Sequence, residues 1–296
     1  MKTKFLLIGM FFLSILVFTS CNSDSTPAPA STDNTLTLNE VTATQTMDNA
    51  IDDVSVIADD QYELTEGSTN GRVSGTYYRL TPDCATISDL GSTPTVRVIT
   101  ITFGTATTSC LFRGHNLRGQ IILTRTISTT FPKTMTVTYN NFYINDNKLE
   151  GTSTWKREML GASTTLHPKT TFTMANMKLT TKDGVYTRNG ERFREMTAGF
   201  STRTSPTDDV FSTWGTFTTT SSIGNVYSSS IAESTPLINK TACGLQANPR
   251  PFPVSGVLKL SKNSHYVTID YGTGDCDNLA MLAVDGGIAF QIILKD

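Results

Sequence analysis

The sequence predicts a mainly β protein, an antiparallel β-sandwich or extended meander with one N-terminal amphipathic helix. Threonine makes up about one residue in six and, with Val, Ile, Phe and Tyr, builds runs in which apolar and polar side chains alternate. That period of two suits half-exposed strands. Dipeptides that tolerate positive φ fall between such runs, where hairpin turns need them. One segment alone breaks this pattern, with apolar residues at spacings of three and four.

The chain opens with Lys2 and Lys4, then an apolar run of fourteen residues from Phe5 to Phe18, then the small pair Thr19-Ser20. A basic flank, an apolar stretch and small residues before a cut site form a secretory signal, because the apolar part enters the translocon and the cleavage pocket admits only small side chains. At about 1.5 Å per residue the run spans roughly 21 Å, short of the roughly 30 Å hydrocarbon layer, which disfavours a transmembrane anchor. Phe18-Thr19-Ser20-Cys21 resembles a bacterial lipobox. The resemblance implies cleavage before Cys21, diacylglycerol on its sulfur and a further acyl chain such as palmitate on the new amino terminus. A second chain matters, since one alone binds membranes only marginally. Residues 1–20 are thus expected to be the signal peptide. Residues 21–36 are small and polar with Pro27 and Pro29, bury too little to fold, and read as a disordered tether.

From Leu38 to Tyr62 apolar residues recur at Val41, Met47, Ile51, Val54 and Ala58. With Asn39 as N-cap and Glu40 in the first turn, residues 37–63 read as a helix whose apolar stripe packs on the sheet. Its other face, with Asp48, Asp52, Asp53, Asp59 and Asp60, is expected to face water. Thr65 to Arg72 links this helix to an antiparallel β domain over 72–296. Hairpin turns are expected at Asn145-Asp146-Asn147, Asp183-Gly184, Asn189-Gly190, Gly224-Asn225 and Asp285-Gly286-Gly287. The short connections make neighbouring strands antiparallel.

Loss of the two signal lysines moves the formal charge from −2 to −4, with 22 basic against 26 acidic side chains. Mild acidity without a basic cluster argues against nucleic acid as a partner. The mature length suits one large domain or two smaller ones, and about three-quarters of the unfolded surface can be buried at this size.

With Cys21 assigned to lipid, Cys84, Cys110, Cys243 and Cys276 remain, an even set for an oxidising compartment. Four cysteines allow three connectivities. An internal similarity chooses among them: Val98-Ile99-Thr100-Ile101-Thr102-Phe103-Gly104-Thr105 resembles Tyr266-Val267-Thr268-Ile269-Asp270-Tyr271-Gly272-Thr273, and each run lies between two of the cysteines. Two similar clipped units follow, 84–126 and 243–294, with bridges Cys84–Cys110 and Cys243–Cys276.

The three histidines, His115, His167 and His265, are far apart in sequence, and no HExxH, CxxC, G-x-S-x-G or phosphate-binding glycine loop is present. No catalytic residue is assigned, and a non-catalytic role is expected. The loop Asp270–Asn278, with Asp270, Asp275, Asp277 and Asn278, offers oxygens of the kind Ca²⁺ prefers, although its spacing is not that of an EF-hand and no metal or other cofactor is assigned. Arg192 and Arg194 flank Phe193 on one strand, with Arg157 expected nearby; such a stripe suits acidic sugars or phosphate, or pairs across strands with Glu158, Glu191 or Glu195. A carbohydrate-active hydrolase would draw its carboxylate pair from Asp208, Asp209, Glu191 and Glu195, roughly 5–9.5 Å apart across a cleft.

The chain also resembles uncharacterised envelope lipoproteins of the Bacteroidetes in Ile101-Thr102-Phe103-Gly104 before Cys110, Trp214 after Asp208-Asp209-Val210, Pro236-Leu237-Ile238 before Cys243, Pro253-Val254-Ser255-Gly256 and Asp270–Asn278. The likeness implies an outer-membrane lipoprotein, on the periplasmic face or the cell surface, held by its lipid. A glycan or another envelope protein is its expected partner.

Overall fold

A computed structural model describes residues 35–66, 80–105, 108, 110–202 and 205–294. The expected signal peptide, Cys21, nearly all of the expected tether and the 67–79 link lie outside the described residues.

The chain begins with α1 (Leu38–Glu66) and continues through β1 (Ala85–Ser88), β2 (Val96–Phe103), β3 (Cys110–Phe112), β4 (His115–Thr126) and β5 (Lys133–Ile144). Long strands follow: β6 (Asn147–Leu160), β7 (His167–Thr181), β8 (Gly184–Ala198) and β9 (Val210–Ser221). Then come β10 (Val226–Ile231), β11 (Leu237–Lys240), the single-turn α2 (Thr241–Gly244), β12 (Ser255–Lys262), β13 (His265–Thr273), β14 (Leu279–Val284) and β15 (Phe290–Ile293). All fifteen strands belong to one antiparallel sheet, in the order β1-β2-β4-β5-β6-β7-β8-β9-β10-β12-β13-β14-β15, with β3 added beside β4 and β11 bridging β9 and β12. This is the meander form of the expected β fold, and a helix covers its inner face.

The cap of α1 lies two residues before the expected one. Thr37 Oγ1 accepts from the Glu40 N–H at 3.2 Å, while Glu40 Oε2 accepts from the Thr37 N–H at 2.8 Å, so the cap is a Thr37–Glu40 box and Asn39 lies inside the helix. The expected stripe of Val41, Met47, Ile51, Val54 and Ala58 is buried. So are all six residues from Asp53 to Ala58. Consecutive helical residues step about 100° around the axis, so no flat surface can bury six in a row. The sheet therefore curls around the helix. Met47, Ile51, Val54 and Ile57 are the large apolar side chains packed into this trough, each contributing about 1.5–3 kcal/mol on burial.

The curl has a local cause. Register shifts recur where β4 meets β5, β5 meets β6, β6 meets β7 and β7 meets β8. At these shifts stand Gly119, Asn141, Gly151, Asn176 and Gly190, all with positive φ. Such bulges bend a strand and increase its twist, and a row of them across adjacent strands creases the sheet. A Cβ on Gly119 would lie 1.9 Å from the Asn141 carbonyl oxygen, and one on Gly190 would lie 2.3 Å from that of Thr216. Asn189-Gly190 is therefore part of this crease inside β8, and the expected hairpin turn there is absent. Gly190 is required by the close approach of β9. The turns expected at Asn145–Asn147, Asp183-Gly184, Gly224-Asn225 and Asp285–Gly287 all join consecutive strands.

Disulfides join Cys84 to Cys110 and Cys243 to Cys276, with Cα atoms 5.5 and 5.2 Å apart, as the internal similarity predicts. The two similar runs lie in β2 and β13, toward opposite edges of the sheet.

Candidate functional site

The inner face of the sheet carries cations in rows between its apolar residues, and α1 meets them with its carboxylates. Near its start, buried Glu40 accepts from Lys262 Nζ on β12 at 3.1 Å. About two turns further, Asp48 Oδ1 accepts from both Arg188 and Arg192 at 2.6 Å. Asp52 and Asp53 each receive Arg113 at 3.1 Å, and Asp53 also binds His115 Nδ1. Asp59 is shared by Arg157 at 2.9 Å and Arg194 at 2.6 Å, Glu63 binds Arg157, and Glu66 binds Arg125 and Lys133. Asp60 instead accepts from the Leu80 and Thr81 N–H groups and the Thr81 hydroxyl. The acidic face expected in water thus faces the sheet, because the trough presents a cation opposite nearly every turn. Burial opposes the charge on Arg113, but Asp53 and Asp52 outweigh it and push the guanidinium pKa further up. Glu63 and Asp59 do the same for Arg157 against its own burial.

The Arg192/Arg194 stripe is engaged by these pairs. Both arginines are buried and held by Asp48 and Asp59. Arg157 does lie near Arg194, through their common partner Asp59 and their common cross-strand neighbour Thr170. The expected pairing of the stripe with Glu158, Glu191 or Glu195 does not form, because side chains alternate along β8 and its glutamates point to the outer face. There Glu191 accepts from Thr173 and Glu195 pairs with His167. Four residues along one strand separate these two acids by about 13 Å, beyond the span of a glycosidase pair. Asp208 is exposed and accepts from the Thr202 hydroxyl. Asp209 is buried beside a small 40 Å³ cavity that also touches Asp59, Asp60 and Glu63.

In the Asp270–Asn278 loop the polar groups mainly serve the loop itself. Asp270 accepts from the Gly272 N–H, Asp277 from the Leu279 N–H, and Asn278 donates to the Leu294 carbonyl. Lys240 Nζ closes on the Gly274 carbonyl at 2.7 Å. Among the described residues no group of three acids, histidines or cysteines converges as metal ligands, Asp270, Asp275 and Asp277 included.

Two open depressions meet at Tyr143, a position the sequence reading did not single out as a site. One, of about 620 Å³, lies between the first half of α1 and the turns joining β5 to β6 and β7 to β8; Asn39, Thr42, Thr46, Asn147 and Thr181 are among its walls. The other, of about 420 Å³, sits at the crease over Gly119 and Asn141, with Thr102, Gln120, Asn140 and Arg118 around it. Tyr143 lines both. Arg118 and Tyr143 are cross-strand partners, and the guanidinium lies over the ring, 3.6 Å from its centroid. Asn140 donates to Gln120 Oε1 at 2.8 Å, and Gln120 donates to Thr102 Oγ1 at 3.0 Å. These are amide and hydroxyl surfaces with fixed orientation.

No family model, no curated protein and no solved structure matches this chain.

Proposed function

We propose that this chain is a lipid-anchored cell-envelope protein of the Bacteroidetes type that acts as a non-catalytic binding module. The lipobox-like Phe18–Cys21 and the polar tether after it support an outer-membrane anchor through Cys21. The single observation that carries the binding role is the pair of depressions meeting at Tyr143, whose walls combine amides and hydroxyls with the charged side chains of Arg118, Asp146, Lys148, Lys182 and Asp183. Such walls complement the donors and acceptors of a glycan. Of the carboxylates weighed for a hydrolase, Glu191 and Glu195 point to the outer face too far apart for a glycosidase pair, and Glu195 is held by His167, which favours binding over hydrolysis.

The test is a thermal-shift screen of the whole chain in detergent against neutral and acidic oligosaccharides, with calcium and chelator alongside. A ligand at a hundred times its dissociation constant stabilises by about 2.7 kcal/mol, which raises Tm by roughly 5 °C or more in a domain of this size. A shift that Asn147→Ala or Gln120→Ala weakens supports the reading. A shift abolished by chelator but untouched by these variants overturns it. Release of reducing sugar from any oligosaccharide would make the protein an enzyme. Labelling with radioactive palmitate, lost in Cys21→Ala, is the result expected of the anchor.

A further inference from the structure

Arg118 stands apart from the arginines of the trough. Arg113, Arg125, Arg157, Arg188, Arg192 and Arg194 each meet a carboxylate from α1. Arg118 meets none among the described residues and instead lies against the face of Tyr143. It is half-buried, and the stack orders a side chain that would otherwise lose rotamer freedom on engaging a ligand. A guanidinium carries five N–H donors in a rigid plane, matched to a planar carboxylate. Among the described residues its depression has no acidic wall: around Arg118 stand Thr102, Thr105, Gln120, Asn140 and Asn141. The bulge at Gly119 and Asn141 sits between Arg118 and these amides and sets their direction.

We infer that the Arg118 depression takes the carboxylate of an acidic saccharide, with neighbouring sugar units running past Tyr143 into the larger depression. This rests on the binding-module reading and names its ligand class. The carboxylate occupies the donor edge of Arg118. Asn140 Oδ1 and the Thr102 hydroxyl, each left with hydrogen-bonding capacity by the Asn140–Gln120–Thr102 chain, meet the ring hydroxyls. In the second depression Lys148 and Lys182 are already paired with Glu150 and Asp183 and Asp146 adds a negative charge, so the preference for an anion resides at Arg118.

The test is calorimetric titration of the whole chain in detergent with two acid–neutral pairs: α-1,4-trigalacturonate against α-1,4-galactotriose, and sialyllactose against lactose. At least one acidic sugar is expected to bind tenfold or more tightly than its neutral counterpart. Arg118→Met should remove that preference, bringing the affinity for the acidic sugar down to that for its neutral counterpart. Tyr143→Phe, which keeps the stack, should retain the preference, and Tyr143→Ala should lose most of it. Arg97→Gln, a partly exposed arginine paired with Asp89 elsewhere on the sheet, should change nothing. Equal affinity for acidic and neutral sugars, or an Arg118→Met protein that keeps the preference, overturns this inference and leaves the binding module standing. Displacement of trigalacturonate by equimolar inorganic phosphate would reduce the site to a general anion site and overturn the saccharide assignment. No binding by any of the four sugars overturns both this inference and the glycan reading on which it rests.

Discussion

Asp48 and Arg188 meet at 2.6 Å across 140 residues of chain, and the arginine side chain is wholly buried. The pair stands at the middle of the contact between helix and sheet, and the same carboxylate oxygen also holds Arg192. A buried ion pair of this kind adds little stability over a well-packed apolar pair, but a cation stranded without its partner is costly.

Asp48→Ala should therefore lower unfolding free energy by about 3–5 kcal/mol, since two buried guanidiniums lose their common acceptor. Asp183→Ala removes only the partner of exposed Lys182 and should stay within about 0.5 kcal/mol. Urea unfolding of the two variants side by side measures the contrast.

The crease predicts a second contrast. Gly119→Ala forces a Cβ to within 1.9 Å of the Asn141 carbonyl oxygen at φ +88°, so strands must part, at more than about 2 kcal/mol. Gly224 has φ +85° but open space around it, and Gly224→Ala should cost only the conformational term of about 1–2 kcal/mol. Equal losses at the two positions would remove the steric account of the crease.

Removing the first bridge with paired Cys84→Ala and Cys110→Ala substitutions opens a loop with a separation of 26 residues. The chain-entropy model gives a loss of about 3–4 kcal/mol. A peptide map under non-reducing conditions should contain Cys84–Cys110 and Cys243–Cys276 pairs, and a Cys84–Cys276 peptide would contradict the fold.

His167 supplies a pH dependence. Its Nδ1 faces the Thr165 carbonyl at 2.7 Å and its Nε2 faces Glu195 at 2.9 Å, so only the imidazolium can donate to both. The Thr165 carbonyl, opposed by partial burial and helped by Glu195, raises its pKa above the usual value. The stabilisation is complete below the unfolded value near pH 6.5 and is lost as pH climbs through the raised folded value. His167→Gln should flatten the fall in urea midpoint between about pH 6 and 8, and the His167 imidazole resonance should titrate above that of an unfolded peptide.

The strands and most of the turns were legible because period-two patterning and Asp-Gly or Gly-Asn dipeptides act locally. The helix was legible through its stripe from Val41 to Ala58. Its acidic face was misplaced because a carboxylate beside water and one beside a buried guanidinium look alike in sequence; only the long-range partner decides. Asn189-Gly190 misled for a related reason: positive φ serves a bulge as well as a turn, and β9 alone distinguishes them. Alternation correctly put Arg192 and Arg194 on one side of a strand, but not which side met α1. Arg118 and Tyr143 carried no signal at all. They sit on adjacent strands, and the sequence separation between them hides the stack.

Because α1 precedes every strand, its carboxylates leave the ribosome before any of the sheet cations that neutralise them. Arg113 arrives first, the β8 arginines much later, and Lys262 reaches Glu40 only after a further 222 residues of synthesis. Contacts so distant in sequence favour slow assembly, on the order of milliseconds to seconds. A chain interrupted before β12 keeps Glu40 unmatched inside a half-built trough, and one interrupted before β8 leaves Asp48 in the same position. The helix thus acts as a check on completeness: the carboxylates it turns to the sheet cations are all neutralised only when nearly the whole polypeptide has been made.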